Sequence, residues 1–149
     1  MDLTSGYHQA PITLACRIFT SSITFTGVYQ FTRLPFGPKR APSYFQEEMG
    51  TCVLAGLIYI IGEMYLDDCI VYATGTDKFC NRLEQLFKRF HDKHIFLTAA
   101  KCKLGMSEVD YVGRTISKDG LRMSEKQIQG VNDFHKELTI HNYDHSWDL

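Results

Sequence analysis

The stretch Glu63-Met64-Tyr65-Leu66-Asp67-Asp68-Cys69-Ile70-Val71-Tyr72-Ala73 sets two adjacent carboxylates between two short apolar, β-prone runs. A chain has few ways to fold such a segment. Two neighbouring ionised groups are expensive to bury in a core unless a cation compensates them. The runs therefore read as a hairpin with the acids at its tip. The tip itself has two readings. Acidic pairs are common in solvated turns. The same pair also suits Mg²⁺, a hard cation that binds few carboxylates and keeps water and phosphate oxygens around it.

The chain has 149 residues, 44% of them hydrophobic, which is one domain's worth with enough apolar content for a core. A net charge of -1 argues against a self-sufficient nucleic-acid binder, since such domains carry a basic excess. The most apolar run, Val53 to Ile61, contains Gly56 and is far shorter than the roughly 18 residues a membrane span needs. Met1-Asp2 turns polar at once, so no signal peptide and no membrane partner are expected, and the location expected is cytoplasmic, with the nucleus also open. Cys16, Cys52, Cys69, Cys80 and Cys102 are odd in number and scattered, and read as free, mostly buried thiols of a reducing compartment. His91 and His94 suit a helix end better than a zinc site.

Read in order, Asp2 stands just before a turn at Gly6, and Ile12 to Ile18 is irregular. Phe19 to Phe36 forms a hairpin around Thr26-Gly27, ended by Pro35 and Pro38, which cannot donate to a ladder. Ala41-Pro42 opens a helix to about Ile61, with Phe45, Met49, Cys52 and Val53 on one face. After the acidic hairpin, Thr76-Asp77 caps a second helix whose stripe is Phe79, Leu83, Leu86, Phe87 and Phe90. Short strands are expected at Lys101 to Leu104 and Val109 to Gly113, then a hairpin turning at Asp119-Gly120. Ser124 caps a last helix with Ile128, Val131, Phe134 and Leu138 along one side, and the tail from Thr139 is expected to fray. This order implies an α+β fold: an antiparallel sheet with two to three helices packed on one face, then a small β-hairpin region and a C-terminal helix. In that arrangement the Asp67-Asp68 tip and Asp2 can meet at one rim of the sheet.

Several of these residues form an ordered set. They are Asp2-Leu3-x-Ser5-Gly6-Tyr7-His8-Gln9, Gly27-x-Tyr29-x-Phe31, and Leu34-Pro35-Phe36-Gly37-x-Lys39-x-Ala41-Pro42-x-x-Phe45-Gln46. Tyr65-Leu66-Asp67-Asp68, Lys101-Cys102 and Tyr111-Val112-Gly113-x-x-Ile116-Ser117-x-x-Gly120 follow. The set resembles the palm of the reverse transcriptases of gypsy-type LTR retroelements, the fold shared with retroviral enzymes. The resemblance covers roughly residues 1 to 137. Any one tetrapeptide is weak evidence, while the ordered set is very specific.

The resemblance implies a partial palm over 1–122 with the fingers missing, the start of a thumb-like helix over 123–138 and a divergent, disordered tail over 139–149. It implies RNA-directed DNA polymerase chemistry, in which two Mg²⁺ ions about 4 Å apart assist attack of a primer 3′-hydroxyl on a dNTP. Asp2 and Asp67 would be the principal ligands, with Asp68 beside them. Tyr7 would lie under the incoming sugar and exclude a 2′-hydroxyl, or be plain core. Phe36 and Gly37 would touch the nascent base pair, although Gly37 could equally be turn punctuation. Lys39, Arg40, Gln46 and Tyr65 are candidate template or primer contacts, with solvated cations the bland reading of the first two. Lys101 would approach the leaving phosphate, or be an exposed strand lysine. Tyr111 and Gly113 would belong to the hairpin that grips the primer end. The partners implied are an RNA or DNA template with its primer, a dNTP, and the fingers, thumb and RNase H regions of a parent polyprotein.

The chain also departs from this pattern. Met1 stands where the family has a strand running into the first aspartate, so Asp2 is expected to lack a ladder, and a ligand loose by about 1 Å works poorly. Against the resemblance, the whole fingers region and the full thumb, connection and RNase H regions are expected to be missing from these residues. Residues 139 to 149 do not follow the family, and Leu14 to Ser22 lack its usual acidic residues. Because phosphate contacts dominate duplex affinity, the isolated chain is expected to bind primer-template weakly, so sub-micromolar affinity at physiological salt would contradict this. The alternatives are a catalytically inactive retroelement remnant or interaction module that keeps the palm fold, and another palm-like nucleotidyl transferase or cyclase.

Overall fold

The computed structural model describes the backbone of residues 1–141 and the side chains of residues 1–133. It comprises one compact unit, Met1–Leu104, and a second beginning at Gly105. The α+β class is as expected.

In the first unit a short helix α1 (Leu14–Arg17) precedes the hairpin β1 (Ser22–Thr24) and β2 (Gly27–Tyr29). Helix α2 (Ala41–Glu48) leads through a π-turn (Met49–Val53) to the hairpin β3 (Gly62–Tyr65) and β4 (Asp68–Val71), and then to helix α3 (Thr76–Asp92). The second unit pairs β5 (Glu108–Tyr111), β6 (Arg114–Ser117) and β7 (Gly120–Met123) as an antiparallel meander, followed by α4 (Glu125–His141).

The core of the first unit draws on α2 and its π-turn, α3, the β3–β4 hairpin and the N-terminal residues, while α1, β1 and β2 carry no buried residue. Phe45 and Met49 from α2 and its π-turn, Leu86 and Phe90 from α3, Met64 and Cys69 from the β3–β4 hairpin, and Leu3 are all buried together. The amphipathic spacing of α3 explains its docking. Its stripe is narrower than expected, because Phe87 lies 40% exposed at the margin.

Several boundaries differ from expectation, each for a local reason. The α2 segment does not reach Ile61: Val53–Ile61 is apolar without a period, and Gly56 (φ 74°) and Tyr59 (φ 63°) take left-handed conformations that end a helix. Cys52 consequently faces outward rather than sharing the buried side of Met49 and Val53. Residues 14–17 form a helical turn where an irregular segment was expected, and the strand expected over Lys101 to Leu104 is not formed, Lys101 instead ending a 3₁₀ turn over Ala99–Lys101. Gly75 (φ 87°), not a Thr76 or Asp77 side chain, occupies the N-cap of α3. Of the five thiols only Cys69 is buried; Cys16, Cys52 and Cys80 are exposed, because the elements carrying them present those positions to solvent. On α4, Ile128 and Val131 are exposed, while Phe134 and Leu138 fall outside the described side chains. The backbone of α4 continues to His141, past the expected fraying point at Thr139; the rest of the tail, 142–149, lies outside the described residues.

Gly62 shows how tightly the acidic hairpin is built. A Cβ added there would sit 2.2 Å from the Ile70 carbonyl oxygen, across the Gly62↔Val71 end of the ladder. That oxygen belongs to paired backbone and cannot swing away as a side chain would. Gly62→Ala is therefore expected to lower the stability of the first unit by about 3 kcal/mol, read as a lower urea midpoint with an unchanged m-value.

Candidate functional site

The β3–β4 register is Tyr65↔Asp68, which leaves Leu66 and Asp67 as a two-residue turn. Such turns need a positive φ to match the twist of the strands, normally supplied by glycine. Here Leu66 supplies it, at φ 52°. A branched residue in that region is strained by about 1–3 kcal/mol and persists only where its surroundings impose it.

Those surroundings can be named. The Gln46 side chain, reaching from α2, donates from Nε2 to the Met64 carbonyl at 2.9 Å and accepts the Leu66 N–H on Oε1 at 2.7 Å. From the other side Gly6 abuts Asp67: a Cβ on Gly6 would lie 3.0 Å from that of Asp67 and 3.2 Å from Phe45 Cζ. Neither contact was foreseen from sequence, and both join residues far apart along the chain.

Asp2 is held by a backbone ladder after all, contrary to expectation. Cys69 N–H donates to Met1 O at 2.8 Å and Leu3 N–H donates to Asp67 O at 3.0 Å, so Asp2 pairs antiparallel with Asp68. On its other edge Thr98 N–H donates to Asp2 O at 3.0 Å, and Leu3 pairs with Leu97. Residues 1–3 are thus an inner strand between β4 and residues 96–98. Gln9 fastens the far end, its Nε2 donating to Phe96 O at 2.9 Å and its Oε1 accepting Phe96 N–H at 2.7 Å. The expectation failed because the ladder comes from later in the chain rather than from residues before Asp2.

Directly opposed residues of an antiparallel pair present their side chains on one face, and like charges placed so are destabilising. Asp2 and Asp68 are opposed in this way, with Asp67 next in the chain. The Asp68 carboxyl is accordingly pushed above the ordinary carboxylate value, first by withdrawal from water and then by the charges of Asp67 and Asp2. Lys101 offsets part of this, its Nζ lying 3.3 and 3.4 Å from the two Asp2 carboxylate oxygens. The N-terminal ammonium of Met1 and, after it, Lys101 draw the Asp68 carboxyl part of the way back down. Among the described residues no three His, Cys, Asp or Glu side chains are gathered tightly enough to form a ready metal cage. The donor chemistry nevertheless suits a divalent ion: Asp2 and Asp68 offer hard carboxylate oxygens from two separate strands on one face, with Asp67 in the adjoining turn.

Tyr7 lies close by. Its ring stacks on Phe45 at 5.0 Å and 15° and tilts against Phe36 at 5.0 Å. Burial, then the charge of Asp67, pushes its hydroxyl pKa up. Phe36 is two-thirds exposed and also meets His8 edge-on at 5.3 Å. Gly37 has φ 109° with open space around it, so its backbone conformation rather than crowding requires glycine. Lys39, Arg40 and Tyr65 are exposed. Tyr111 ends β5 in the second unit, and Gly113 (φ 74°) with Val112 (φ 49°) makes the tight turn into β6. A cavity of about 450 Å³ in the first unit, lined by residues such as Arg33, Glu48, Lys93 and Phe96, includes none of the three aspartates. Of the three acids, Asp2 and Asp67 are half-buried and Asp68 is exposed.

The profile of the family described as Reverse transcriptase (RNA-dependent DNA polymerase) matches residues 1–116. The chain is 32% identical over 134 residues to the retrovirus-related Pol polyprotein from transposon 412 of Drosophila melanogaster, covering 90% of this chain and 11% of the relative. It is 30% identical over 134 residues to the Pol polyprotein from transposon gypsy of the same organism, covering 90% of this chain and 13% of the relative. The chain therefore spans little more than a tenth of the length of these curated relatives. A foamy viral protease-reverse transcriptase solved in complex with an RNA/DNA hybrid superposes with a TM-score of 0.75 at 22% identity, over 88% of this chain and 18% of that one.

Proposed function

Since this chain belongs to the reverse transcriptase (RNA-dependent DNA polymerase) family, we propose that its acidic face is the nucleotidyl-transfer site of an RNA-directed DNA polymerase, which adds dNMP to a primer 3′-hydroxyl on an RNA or DNA template. The observation that carries this reading is the pairing of Asp2 with Asp68 beside Asp67. A ladder that opposes like charges loses stability unless a cation joins them.

Asp2, Asp67 and Asp68 would hold Mg²⁺, two ions in the full assembly. Bound there, divalent ions supply positive charge for the attacking and leaving oxygens of the transfer. The remaining work falls to side chains. Tyr7, fixed flat on Phe45, would stack beneath the incoming sugar and block a 2′-hydroxyl. Phe36, exposed beside it, would support the nascent base pair, with Gly37 letting backbone approach. Lys101, already at the acids, would meet the charge of the departing phosphate. Lys39 and Arg40 would take template phosphates, which position a duplex without reading its sequence. Tyr65 would contact the primer; by the resemblance Tyr111 and Gly113, in the second unit, would belong to the hairpin that grips the primer end. The foamy viral relative in complex with an RNA/DNA hybrid supports this choice of substrate.

The test is extension of a labelled primer on an RNA template by the full 149-residue chain with dNTPs and Mg²⁺. Extension supports the reading. A cooperative melt with no extension supports an inactive module that keeps the fold. In the active protein Tyr7→Val is expected to raise ribonucleotide incorporation relative to dNTP by about 10- to 100-fold, the scale on which one pocket contact discriminates. Incorporation ratios from single-nucleotide kinetics measure it, and an unchanged ratio would assign Tyr7 to packing alone.

A further inference from the structure

We propose that Gln46 is a positioning residue: its side-chain amide, fixed on α2, sets the turn that carries Asp67 and Asp68 and thereby the divalent-cation affinity of the acidic face. The inference rests on the proposed function, since it concerns how that face takes its cation.

Three observations converge on it. First, both polar atoms of the Gln46 amide are engaged by hairpin backbone, Nε2 with Met64 O and Oε1 with Leu66 N–H. Those two groups flank Tyr65 and open the turn, so the amide bridges the last strand residues and the first loop residue. Second, the Leu66 N–H it holds belongs to the strained residue, at φ 52°. A hydrogen bond with good geometry to that N–H is what keeps a branched residue in a conformation it otherwise avoids. Third, the platform is rigid: Phe45, next to Gln46, is 0% exposed and Met49, one turn on, is 1% exposed. The amide is thus anchored in the core at one end and in the turn at the other, while Gly6 closes the space behind Asp67.

These two bonds fix the direction of the amide toward the turn. One N–H and one lone pair of the amide remain beyond them, so a template contact is separated from the positioning role by measurement. If the turn relaxes, Leu66 leaves the left-handed region and Asp67 and Asp68 change direction relative to Asp2. Groups that orient ligands from behind typically affect metal affinity by about 10- to 100-fold.

Gln46→Met keeps length and removes both hydrogen bonds; Gln46→Glu keeps an acceptor for Leu66 N–H and loses the donor to Met64 O. Three readouts on the full chain separate the possibilities: hydrogen exchange at the Leu66 amide, Mn²⁺ binding followed by the EPR signal of the free ion, and primer-template affinity by anisotropy. For Gln46→Met we expect Leu66 to exchange at least about 10-fold faster, Mn²⁺ to bind about 10-fold more weakly, and primer-template affinity to stay unchanged. Gln46→Glu should restore much of the Leu66 protection, and it stands in should the Met variant lose its cooperative melt. Unchanged Leu66 exchange, or unchanged Mn²⁺ affinity beside normal uptake by the unaltered chain, overturns the inference alone. Loss of primer-template affinity with Mn²⁺ binding intact returns Gln46 to the template and overturns it as well. No Mn²⁺ uptake by the unaltered chain overturns the proposed function, and this inference with it.

Discussion

Exchanging Asp67 and Asp68 together for Asn is expected to reduce primer extension by at least about 100-fold while raising the melting temperature at neutral pH. The two effects have one cause. The carboxylates are placed where they repel each other and Asp2, and Asp68 in particular ionises against its surroundings. Metal-assisted charge stabilisation is worth several kcal/mol, and each factor of ten in rate corresponds to about 1.4 kcal/mol, so loss of the donors reaches a hundredfold readily. Stability moves the opposite way. Asp68 binds its proton more tightly in the folded chain than in the unfolded one, so the folded state holds the excess proton between the ordinary and the raised carboxylate values. Stability linked to that proton is present below the ordinary value and is lost as pH rises through the window above it. The gain in the Asn variant should therefore be small at the acid end of a pH series and grow toward pH 7. Primer extension and melts from about pH 4 to pH 7.5 measure both parts. Equal stability across the series would mean that Asp68 is not held against its charge.

Phe45→Ala is expected to be the most damaging single change in the first unit, costing about 3–5 kcal/mol. Phe45 is 0% exposed, its ring carries Tyr7 in a stack, and its edge limits the space at Gly6. Removing it leaves a cavity under the acidic face and frees Tyr7 to turn. Against a total stability of about 5–15 kcal/mol, that loss threatens the native state itself. Urea titration checks the size, and near-ultraviolet circular dichroism checks the tyrosine. A loss below about 1 kcal/mol would show that α2 does not anchor the face.

What the sequence disclosed about this site was local. The acidic hairpin was expected over residues 63–73 and is found over 62–71, because two apolar runs around a polar tip can pair only with each other. The α3 stripe was legible from its spacing, and Leu86 and Phe90 are buried as that spacing implies. The α2 segment was drawn too long because apolar residues from Val53 to Ile61 carry no period; Gly56 was the available warning. The anchorage of Asp2 was misjudged for a different reason. Its partners, Asp68 and Thr98, are 66 and 96 positions along the chain, and pairing at that range leaves no trace in a local pattern. The same holds for the Gln46 and Gln9 side chains, whose polar atoms could have gone to solvent or ligand as far as the sequence alone reveals.

The account depends on Asp2 and the Asp67-Asp68 doublet sharing a divalent cation. Paramagnetic broadening of backbone amides by sub-stoichiometric Mn²⁺ reads this most directly. The expected result is that Leu3 and Cys69 broaden together, and that Asp2→Asn removes the effect at both. Broadening confined to residues around the hairpin turn, and unaltered by Asp2→Asn, would contradict it.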